Sequence, residues 1–207
     1  MSDPDKLTRT VIWRRVMDDK SFELATLSRT GDLHRIAGVV LLAESDTPMR
    51  VDYAIDCDRN WDTRTVKVRQ TLGEEIQKLV LRVEDGAWYR GNSRAPELSG
   101  CTDIDLGISP STNLLPINRL NLQVGETHEI LAAWVRFPQC DVIAAPQSYE
   151  RVETSLYRYR SLSSEFTALL KVDEAGFPID YEGIWERIAF TTGSKSVEAF
   201  SLNAGWH

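Results

Sequence analysis

The segment Met49-Arg-Val-Asp-Tyr-Ala-Ile-Asp-Cys57 decides the fold class, because apolar and charged side chains alternate along it. Successive side chains of a β-strand point to opposite faces, so this alternation predicts a strand with one face in the core and the other in solvent. The predicted buried face consists of Met49, Val51, Tyr53, Ile55 and Cys57.

The same alternation recurs along the chain and extends the prediction from one strand to a sheet. It appears in Phe22/Leu24/Thr26, in Leu79/Leu81/Val83 and in Phe166/Ala168/Leu170/Val172. Two further segments, Ile36–Ala43 and Ile130–Val135, are apolar on both faces and predict central strands that are covered on both sides. Short connectors that contain Gly31, Gly86 or Gly176 suit hairpins. We therefore predict a mainly β protein, with about nine to eleven strands in one antiparallel meander.

The segment Gly107–Leu122 has the pattern of a short helix instead. Ser111 or Thr112 can cap its N-terminus, and Pro116 is tolerated only in a first turn, so the helix must be short. Its apolar positions are Leu114, Leu115, Ile117, Leu120 and Leu122. A short apolar helix between strands is expected to cover one face of the sheet or to plug the open side of a barrel.

Composition and charge limit the classes of partner. The chain has 207 residues, of which 42% are hydrophobic and 27% charged, and shows no repeat or linker, so we predict a single domain over residues 1–207. Lys and Arg number 24 and Asp and Glu number 31, which gives a net charge of −7. An acidic chain repels phosphate backbones and anionic lipid surfaces, so no nucleic-acid partner is expected.

The location predicted from the sequence is the cytoplasm. The chain contains no apolar run of about 18 residues that would span a bilayer, and residues 1–6 do not begin a secretory signal. The three cysteines, Cys57, Cys101 and Cys140, are widely scattered. An odd, scattered set suits reduced thiols better than a disulfide framework.

Common signatures of catalysis and of cofactor or metal binding are missing from the sequence. The phosphate-binding loop, the dinucleotide-binding glycine motif and the serine nucleophile elbow do not occur. His128-Glu129 lacks the second histidine that a zinc protease needs, and Cys101–Leu114 lacks the ligands of a calcium loop. We predict neither a cofactor nor a metal ion.

Two polar clusters remain as candidate sites. Asp58–Arg64 places Trp61 beside Asp62 and Arg64, which can recognise a sugar, since an indole stacks on a pyranose while Asp and Arg bond its hydroxyls. The alternative is a solvated loop with an anchoring Trp. Asp103 and Asp105 lie two residues apart in a predicted strand and share a face, so they can act as an acid–base pair or instead pair with arginines.

Several short strings, read in order, resemble one known family. They are Trp61-Asp-Thr-Arg64, Gly86-Ala-Trp88, Gly100-Cys-Thr-Asp-Ile-Asp105, Ser109-Pro-x-Thr-Asn-x-Leu-Pro-Ile-x-Arg-Leu120, Gln147-x-Tyr149 and Asp173-x-x-Gly176. The chain resembles, over about Trp13 to Arg187, the "putative glycolipid-binding" family, a bacterial domain first catalogued without a function. Asn118 departs from the pattern, where a second arginine is expected. Residues 190–207 form an unassigned tail.

The resemblance implies a fold and a ligand class. The fold is similar to that of the envelope carriers of lipoproteins and lipids: a strongly curved antiparallel sheet, an unclosed barrel, with helices covering its concave face. The implied function is binding of an amphipathic or hydrophobic ligand, such as a glycolipid, with the acyl part between sheet and helix. The alternatives are an enzyme that uses Asp103 and Asp105 on such a ligand, and a purely structural role for the polar cluster around Arg119.

The candidate ligand-binding residues fall into two groups. The predicted wall of the acyl site includes Leu115, Ile117 and Trp134. The predicted head-group residues are Trp61, Asp62, Arg64, Asp103, Asp105, Asn113 and Arg119.

Overall fold

A computed structural model describes residues 7–17, 20–44 and 46–193 as strands joined by turns and one short helical segment. The first strands are β1 Leu7–Arg15, β2 Phe22–Thr30, β3 Leu33–Glu44, β4 Thr47–Cys57, β5 Thr63–Leu72, β6 Glu75–Glu84, β7 Ala87–Arg90 and β8 Ser93–Arg94. They are followed by β9 Asp103–Leu106, β10 Thr127–Arg136, β11 Asp141–Glu153, β12 Leu156–Ser161, β13 Thr167–Val172, β14 Pro178–Tyr181 and β15 Trp185–Gly193. The helix α1 spans Leu114–Leu120, and 3-10 turns span Pro96–Leu98 and Ser111–Asn113.

The strands form one sheet that does not close. Its order is β8-β7-β6-β5-β4-β3-β2-β1-β15-β14-β13-β12-β11-β10-β9, so β8 and β9 are the two edges. Neighbouring strands are antiparallel, except that β9 runs parallel to β10. Eight residues, 95–102, connect one edge strand to the other. The indole of Trp88 in β7 donates a hydrogen bond at 2.8 Å to the carbonyl of Cys101, which lies in this connection. The prediction of a mainly β, unclosed antiparallel sheet is confirmed.

The sheet has more strands than the alternation predicted, 15 instead of about nine to eleven. Four of the strands are short: β7, β9 and β14 have four residues each and β8 has two, and among these the stretch of β9 with Asp103 and Asp105 was predicted as a strand. Two to four residues are too few to display a period of two, so these strands exist because a longer neighbour offers them hydrogen bonds.

Burial confirms the predicted face of β4 and corrects that of β2. All five apolar residues of the β4 face are at most 2% exposed. In β2 the buried face consists of Glu23, Ala25 and Leu27, whereas Phe22 and Leu24 are 39% and 41% exposed. The prediction for β2 was wrong because Glu23 points inward to buried hydroxyl groups, which no apolar pattern reveals.

The two segments that are apolar on both faces differ in their burial. In β10 both faces are largely covered, with Ala132 and Ala133 fully buried. In β3 Val40 is buried, but its neighbour Leu41 is 49% exposed. The prediction of cover on both sides therefore holds for β10 and is wrong for β3, whose outer face is apolar and open.

The helical segment differs from its prediction at its start. Ser111 and Thr112 lie in a 3-10 turn, and Asn113, the residue before α1, makes no capping hydrogen bond with its side chain. Pro116 is the third residue of α1, where a backbone N–H needs no partner within the helix. Leu114 and Leu115 are completely buried. The prediction of a short apolar helix is confirmed. Among the described residues, no helix is long and apolar enough to cross a bilayer.

Gly38 in β3 is required by the ring that lies over it. It pairs with Tyr53 across the β3–β4 ladder, and a Cβ on Gly38 would lie 2.5 Å from the Tyr53 hydroxyl and 2.6 Å from the Leu24 carbonyl oxygen. We expect Gly38→Ala to destabilise the protein by about 2 kcal/mol through this overpacking. Chemical denaturation measures the effect. An unchanged midpoint for Gly38→Ala would contradict the contact.

Candidate functional site

The candidate site is a cavity of about 290 Å³ at one end of the sheet, here called the aromatic pocket. Its aromatic lining consists of Trp134, Tyr159, Phe166, Tyr181 and Trp185. Its polar lining includes Asp105, Ser109, Asn113 and Gln147. Aromatic faces that surround a few convergent polar groups are the usual composition of a ligand site.

Three of the rings in the aromatic pocket pack against one another. Tyr159 lies 5.9 Å from Phe166 and 6.4 Å from Tyr181 between ring centroids, and Phe166 lies 6.5 Å from Tyr181. Their planes are inclined to each other by 53° to 70°. Rings that are inclined to each other at these distances pack edge to face, and together they form one part of the pocket wall.

Asp105 provides the negative charge of the pocket. It lies in β9 opposite Trp134 of β10, and its Oδ2 accepts a hydrogen bond from Nε2 of Gln147 at 2.7 Å. Burial raises the pKa of its carboxyl to about 6, against hydrogen bonds from Gln147 and Thr112 that favour the charged form. The carboxylate is therefore anionic near pH 7 but poorly solvated.

Trp134 and Asn113 are held in the pocket wall by specific contacts. A Cβ on Gly107 would lie 2.4 Å from the indole nitrogen of Trp134, so only a glycine lets this ring lie against the end of β9. The side-chain oxygen of Asn113 accepts from the hydroxyl of Tyr149 at 2.9 Å, and its amide nitrogen donates to the Pro110 carbonyl at 3.1 Å.

Asp103 and Arg119 form a buried ion pair behind the pocket. Nε and a terminal nitrogen of Arg119 donate to the two oxygens of Asp103 at 3.0 and 2.6 Å. The side chain of Asp103 is 1% exposed and that of Arg119 is 16% exposed. The polar residues of this segment thus do not form one cluster: Asp103 binds Arg119, Asp105 binds Gln147, and Asn113 binds Tyr149.

A second buried polar network lies next to the pocket and involves Glu23. Tyr53 donates its hydroxyl to Oε1 of Glu23, and Ser109 donates to the same oxygen at 2.8 Å. Ser111 lies 2.7 Å from both hydroxyls. Oε2 of Glu23 has no hydrogen-bond partner among the described residues. Burial raises the pKa of Glu23 to about 7 despite these hydrogen bonds.

Comparison with known proteins places this fold in a family. The profile of the family described as "Putative glycolipid-binding" matches residues 10–187 of the chain. This chain belongs to that family. No curated protein matches the chain.

Two solved structures resemble this member of the glycolipid-binding family. The crystal structure of a DUF1089 family protein from Pseudomonas aeruginosa matches with a TM-score of 0.76 and 33% identity, over 82% of this chain and 92% of that one. A β-barrel-like protein of the domain of unknown function DUF1849 from Brucella abortus matches with a TM-score of 0.49 and 8% identity, over 91% and 97%.

One family motif, Asp173-x-x-Gly176, has a packing role in this family member. Oδ1 of Asp173 accepts the backbone N–H groups of Ala175 and Phe177 at 3.0 and 3.1 Å, which forms the turn between β13 and β14. Gly176 has a φ of +88°, and a Cβ there would lie 2.6 Å from Nδ2 of Asn118. Asn118 donates to the carbonyls of Leu114 and Ala175, both at 2.9 Å, so it ties α1 to this turn.

The residues predicted to bind a head group are separated in the structure. Asp105 and Asn113 line the aromatic pocket, as does the predicted wall residue Trp134. Trp61 stacks on His34 instead, with ring centroids 4.0 Å apart and planes inclined by 10°. Its left-handed φ of 69° belongs to a tight turn of the loop.

The loop around Trp61 satisfies most of its polar groups internally. Asp58 accepts the backbone N–H groups of Asn60 and Asp62 at 2.8 and 3.1 Å and forms an ion pair with Arg64. Trp61, Asp62 and Arg64 do not belong to the lining of the aromatic pocket. The arrangement agrees with the alternative of a loop anchored by its Trp.

The two predicted acyl-site residues of α1 also lie outside the aromatic pocket. Leu115 is completely buried and belongs to the hydrophobic core. Ile117 lines a second cavity of about 680 Å³, at the opposite end of α1. Arg9, Arg151 and Arg187 line this second cavity together with Asp173.

Sequence reasoning missed most of the aromatic lining. Tyr159 lies in the alternating segment Tyr157-Arg-Tyr-Arg160 of β12, and a search for further period-two segments would have found it. Gln147 belongs to a motif that carried the family resemblance but was given no role. Tyr181 is the last residue of the short strand β14 and Trp185 is the first residue of β15, and no pattern marks either position.

The tail predicted to begin at residue 190 is in part a strand. Phe190 pairs with Val11, and Gly193 with Thr8, in the ladder between β15 and β1. The segment to residue 193 therefore completes the sheet. Residues 194–207 lie outside the described residues.

Proposed function

We propose that this protein binds the head group of an amphipathic ligand, of the glycolipid type, in the aromatic pocket. The observation that carries the proposal is the lining itself: five aromatic side chains around Asp105, Asn113 and Gln147. Aromatic rings pack against the C–H faces of a sugar, while carboxylate and amide groups bond its hydroxyls. Membership of a family described as glycolipid-binding supports the same ligand class.

The size of the pocket supports a head group rather than a whole lipid. Sites for small organic ligands usually measure about 300–1,000 Å³, and the aromatic pocket, at about 290 Å³, is at the lower end. We place the acyl chain outside it, over an apolar rim. The rim consists of the exposed residues Val16, Met17, Leu162 and Phe166.

We propose further that the helical segment covers the concave face of the sheet, as the family resemblance implies. Hydrogen bonds from Ser109 to Glu23 of β2, from Ser111 to Tyr53 of β4, and from Tyr149 of β11 to Asn113 support this. Because Leu115 is completely buried there, the segment fills the space in which the acyl chain was expected.

Two further expectations are supported to different degrees. The three cysteines are free, which supports a reducing compartment such as the cytoplasm. The alternative of an enzyme with Asp103 and Asp105 as an acid–base pair has less support. Two nitrogens of Arg119 donate hydrogen bonds to Asp103. A carboxylate in such an ion pair is a poor acid or base for proton transfer.

Affinity for alkyl β-glucosides should rise with chain length. A fully buried methylene contributes about 0.8 kcal/mol, and a chain lying on the rim buries about half of its surface, so two added methylenes should tighten binding about fourfold. Hexyl, octyl and decyl glucosides below their micelle concentrations can be compared by the fluorescence of Trp134 and Trp185.

Variants of exposed apolar residues provide the control. Met17→Gln should reduce the dependence on chain length, whereas Ile76→Gln, at another exposed apolar residue on β6, should leave it unchanged. Glucosides that bind with one affinity at all lengths would refute the rim, and no binding at all would refute the proposed function.

A further inference from the structure

The aromatic pocket contains a carboxylate, Asp105, that forms no ion pair within the part of the chain that the structure describes. Arg15 and Asp105 are the charged residues of its described lining, and no ion pair joins Asp105 to an Arg, Lys or His of the described residues. Four other buried or partly buried aspartates each form an ion pair with an arginine: Asp52 with Arg50, Asp56 with Arg35, Asp103 with Arg119, and Asp173 with Arg187. The buried Glu23 also lacks a cation, but Tyr53 and Ser109 donate to it, whereas Asp105 lines a pocket that a cationic group can enter.

The surroundings of Asp105 stabilise its charge only in part. Gln147 and Thr112 donate hydrogen bonds to it, which favours the anionic form over the neutral one. Three tyrosines face it, Tyr149, Tyr159 and Tyr181, and burial raises the pKa of each above the ordinary value, so they stay neutral. A carboxylate among neutral aromatic groups attracts a cation strongly, because little solvent screens it.

The rings supply the second half of a cation site. Tyr159, Phe166 and Tyr181 line the pocket side by side, with ring centroids 5.9 to 6.5 Å apart. The face of an aromatic ring carries partial negative charge, and several faces around an ammonium group are how proteins bind quaternary amines. Rings and carboxylate thus favour the same sign of charge.

We propose that the head group bound in the aromatic pocket carries a positively charged amine, held between the carboxylate of Asp105 and the rings of Tyr159, Phe166 and Tyr181. The inference rests on the proposed function, since it specifies the chemistry of the same ligand. An amino sugar or an ammonium head group on an alkyl chain has this chemistry, and a neutral sugar does not.

Three octyl amphiphiles test the charge of the head group directly: octyltrimethylammonium, octyl β-glucoside and octyl sulfate, each titrated at pH 7.5 with tryptophan fluorescence or calorimetry as readout. We expect the ammonium compound to bind at least about tenfold more tightly than the glucoside, since a hydrogen bond or contact to a charged group is worth more than a neutral one. Octyl sulfate should bind most weakly.

Asp105→Asn is the decisive variant, because it removes the charge and keeps the shape. It should lose about tenfold in affinity for octyltrimethylammonium and a smaller amount for octyl glucoside, because an amide still bonds a hydroxyl, so the ratio of the two affinities should fall. Asp141→Asn is the matched control, since Asp141 forms its ion pair with Arg136 outside the pocket, and it should change neither affinity.

Wild-type protein gives an independent measurement if Asp105→Asn does not fold. Lowering the pH from 7.5 to 5 protonates a carboxyl of pKa about 6, so affinity for octyltrimethylammonium should fall about fivefold and that for the glucoside by less. The three tyrosines stay neutral over this range, but burial raises the pKa of Glu23, next to the pocket, to about 7, so the same titration in Glu23→Gln separates the effect of Asp105 from that of Glu23.

The possible outcomes separate the inference from the proposed function. A glucoside that binds as tightly as the ammonium compound, or an Asp105→Asn variant that keeps the preference for ammonium, would overturn the inference and leave the proposed function standing. Octyl sulfate binding most tightly would also overturn it. If none of the three amphiphiles binds, both fail.

Discussion

Replacing Arg119 by alanine should lower the free energy of unfolding by about 3 kcal/mol. Asp103 is 1% exposed and accepts two hydrogen bonds from Arg119, so the variant leaves a buried carboxylate without its cation. For a chain of this size a loss of about 3 kcal/mol corresponds to a decrease in Tm of about 6–12 °C. Thermal unfolding followed by circular dichroism measures it.

Two further variants show whether burial is the cause. Arg136→Ala breaks an ion pair in which both side chains are 40% exposed, and it should cost less than about 1 kcal/mol. Adding Asp103→Asn to Arg119→Ala should recover part of the loss, because the unpaired charge is removed. An Arg119→Ala protein that melts within about one or two degrees of wild type would exclude a structural role for this pair.

Glu23→Gln should change the pH dependence of stability by about 3 kcal/mol. Burial raises the pKa of Glu23 from 4.5 to about 7 in the folded state. The folded protein therefore holds this proton more tightly than the unfolded chain does. Below pH 4.5 both states are protonated and the group has no effect. As the pH rises from 4.5 to 7 the unfolded chain releases the proton first, so stability falls, and above pH 7 the loss is complete.

The comparison of Glu23→Gln with wild type isolates this group from all others that titrate. The variant cannot ionise, so its stability relative to wild type should rise between pH 4 and pH 8 by the full amount, at about 1.4 kcal/mol per pKa unit. Glu186→Gln, at the exposed partner of Arg14, is the control and should follow wild type. If the urea midpoints of Glu23→Gln and wild type change with pH by the same amount over this range, Glu23 is not a buried carboxyl that titrates.

The sequence predicted the elements that have a long regular pattern. β4 and the meander follow from an alternation that extends over nine residues, and α1 follows from the apolar positions around Pro116. Such patterns work because each residue reports only which face it occupies. The predicted number of strands was too low because a strand as short as β8, with two residues, cannot show the alternation of apolar and polar side chains.

The sequence did not show the arrangement of the candidate site, because that arrangement depends on contacts between residues that are distant in the sequence. Glu23 reverses the face of β2 because Tyr53 and Ser109 reach it from β4 and from the segment before α1. The stacking of His34 on one face of Trp61 is likewise a contact between distant residues that the composition of the Trp61 loop does not show. Asp103 and Asp105 look equivalent in the sequence, yet Asp103 forms an ion pair with Arg119 whereas Asp105 accepts a hydrogen bond from Gln147.

The ladder between β1 and β15 has a consequence for the order of folding. It pairs Val11 with Phe190, whereas the other ladders join strands that are close in sequence. Hairpins with short connections form quickly, and pairings between distant segments must wait for a large loop to close. The segments β2–β8 and β9–β14 should therefore assemble first as separate halves. The β1–β15 ladder should then join them in the slowest step, so weakening this ladder should slow refolding more than weakening any hairpin does.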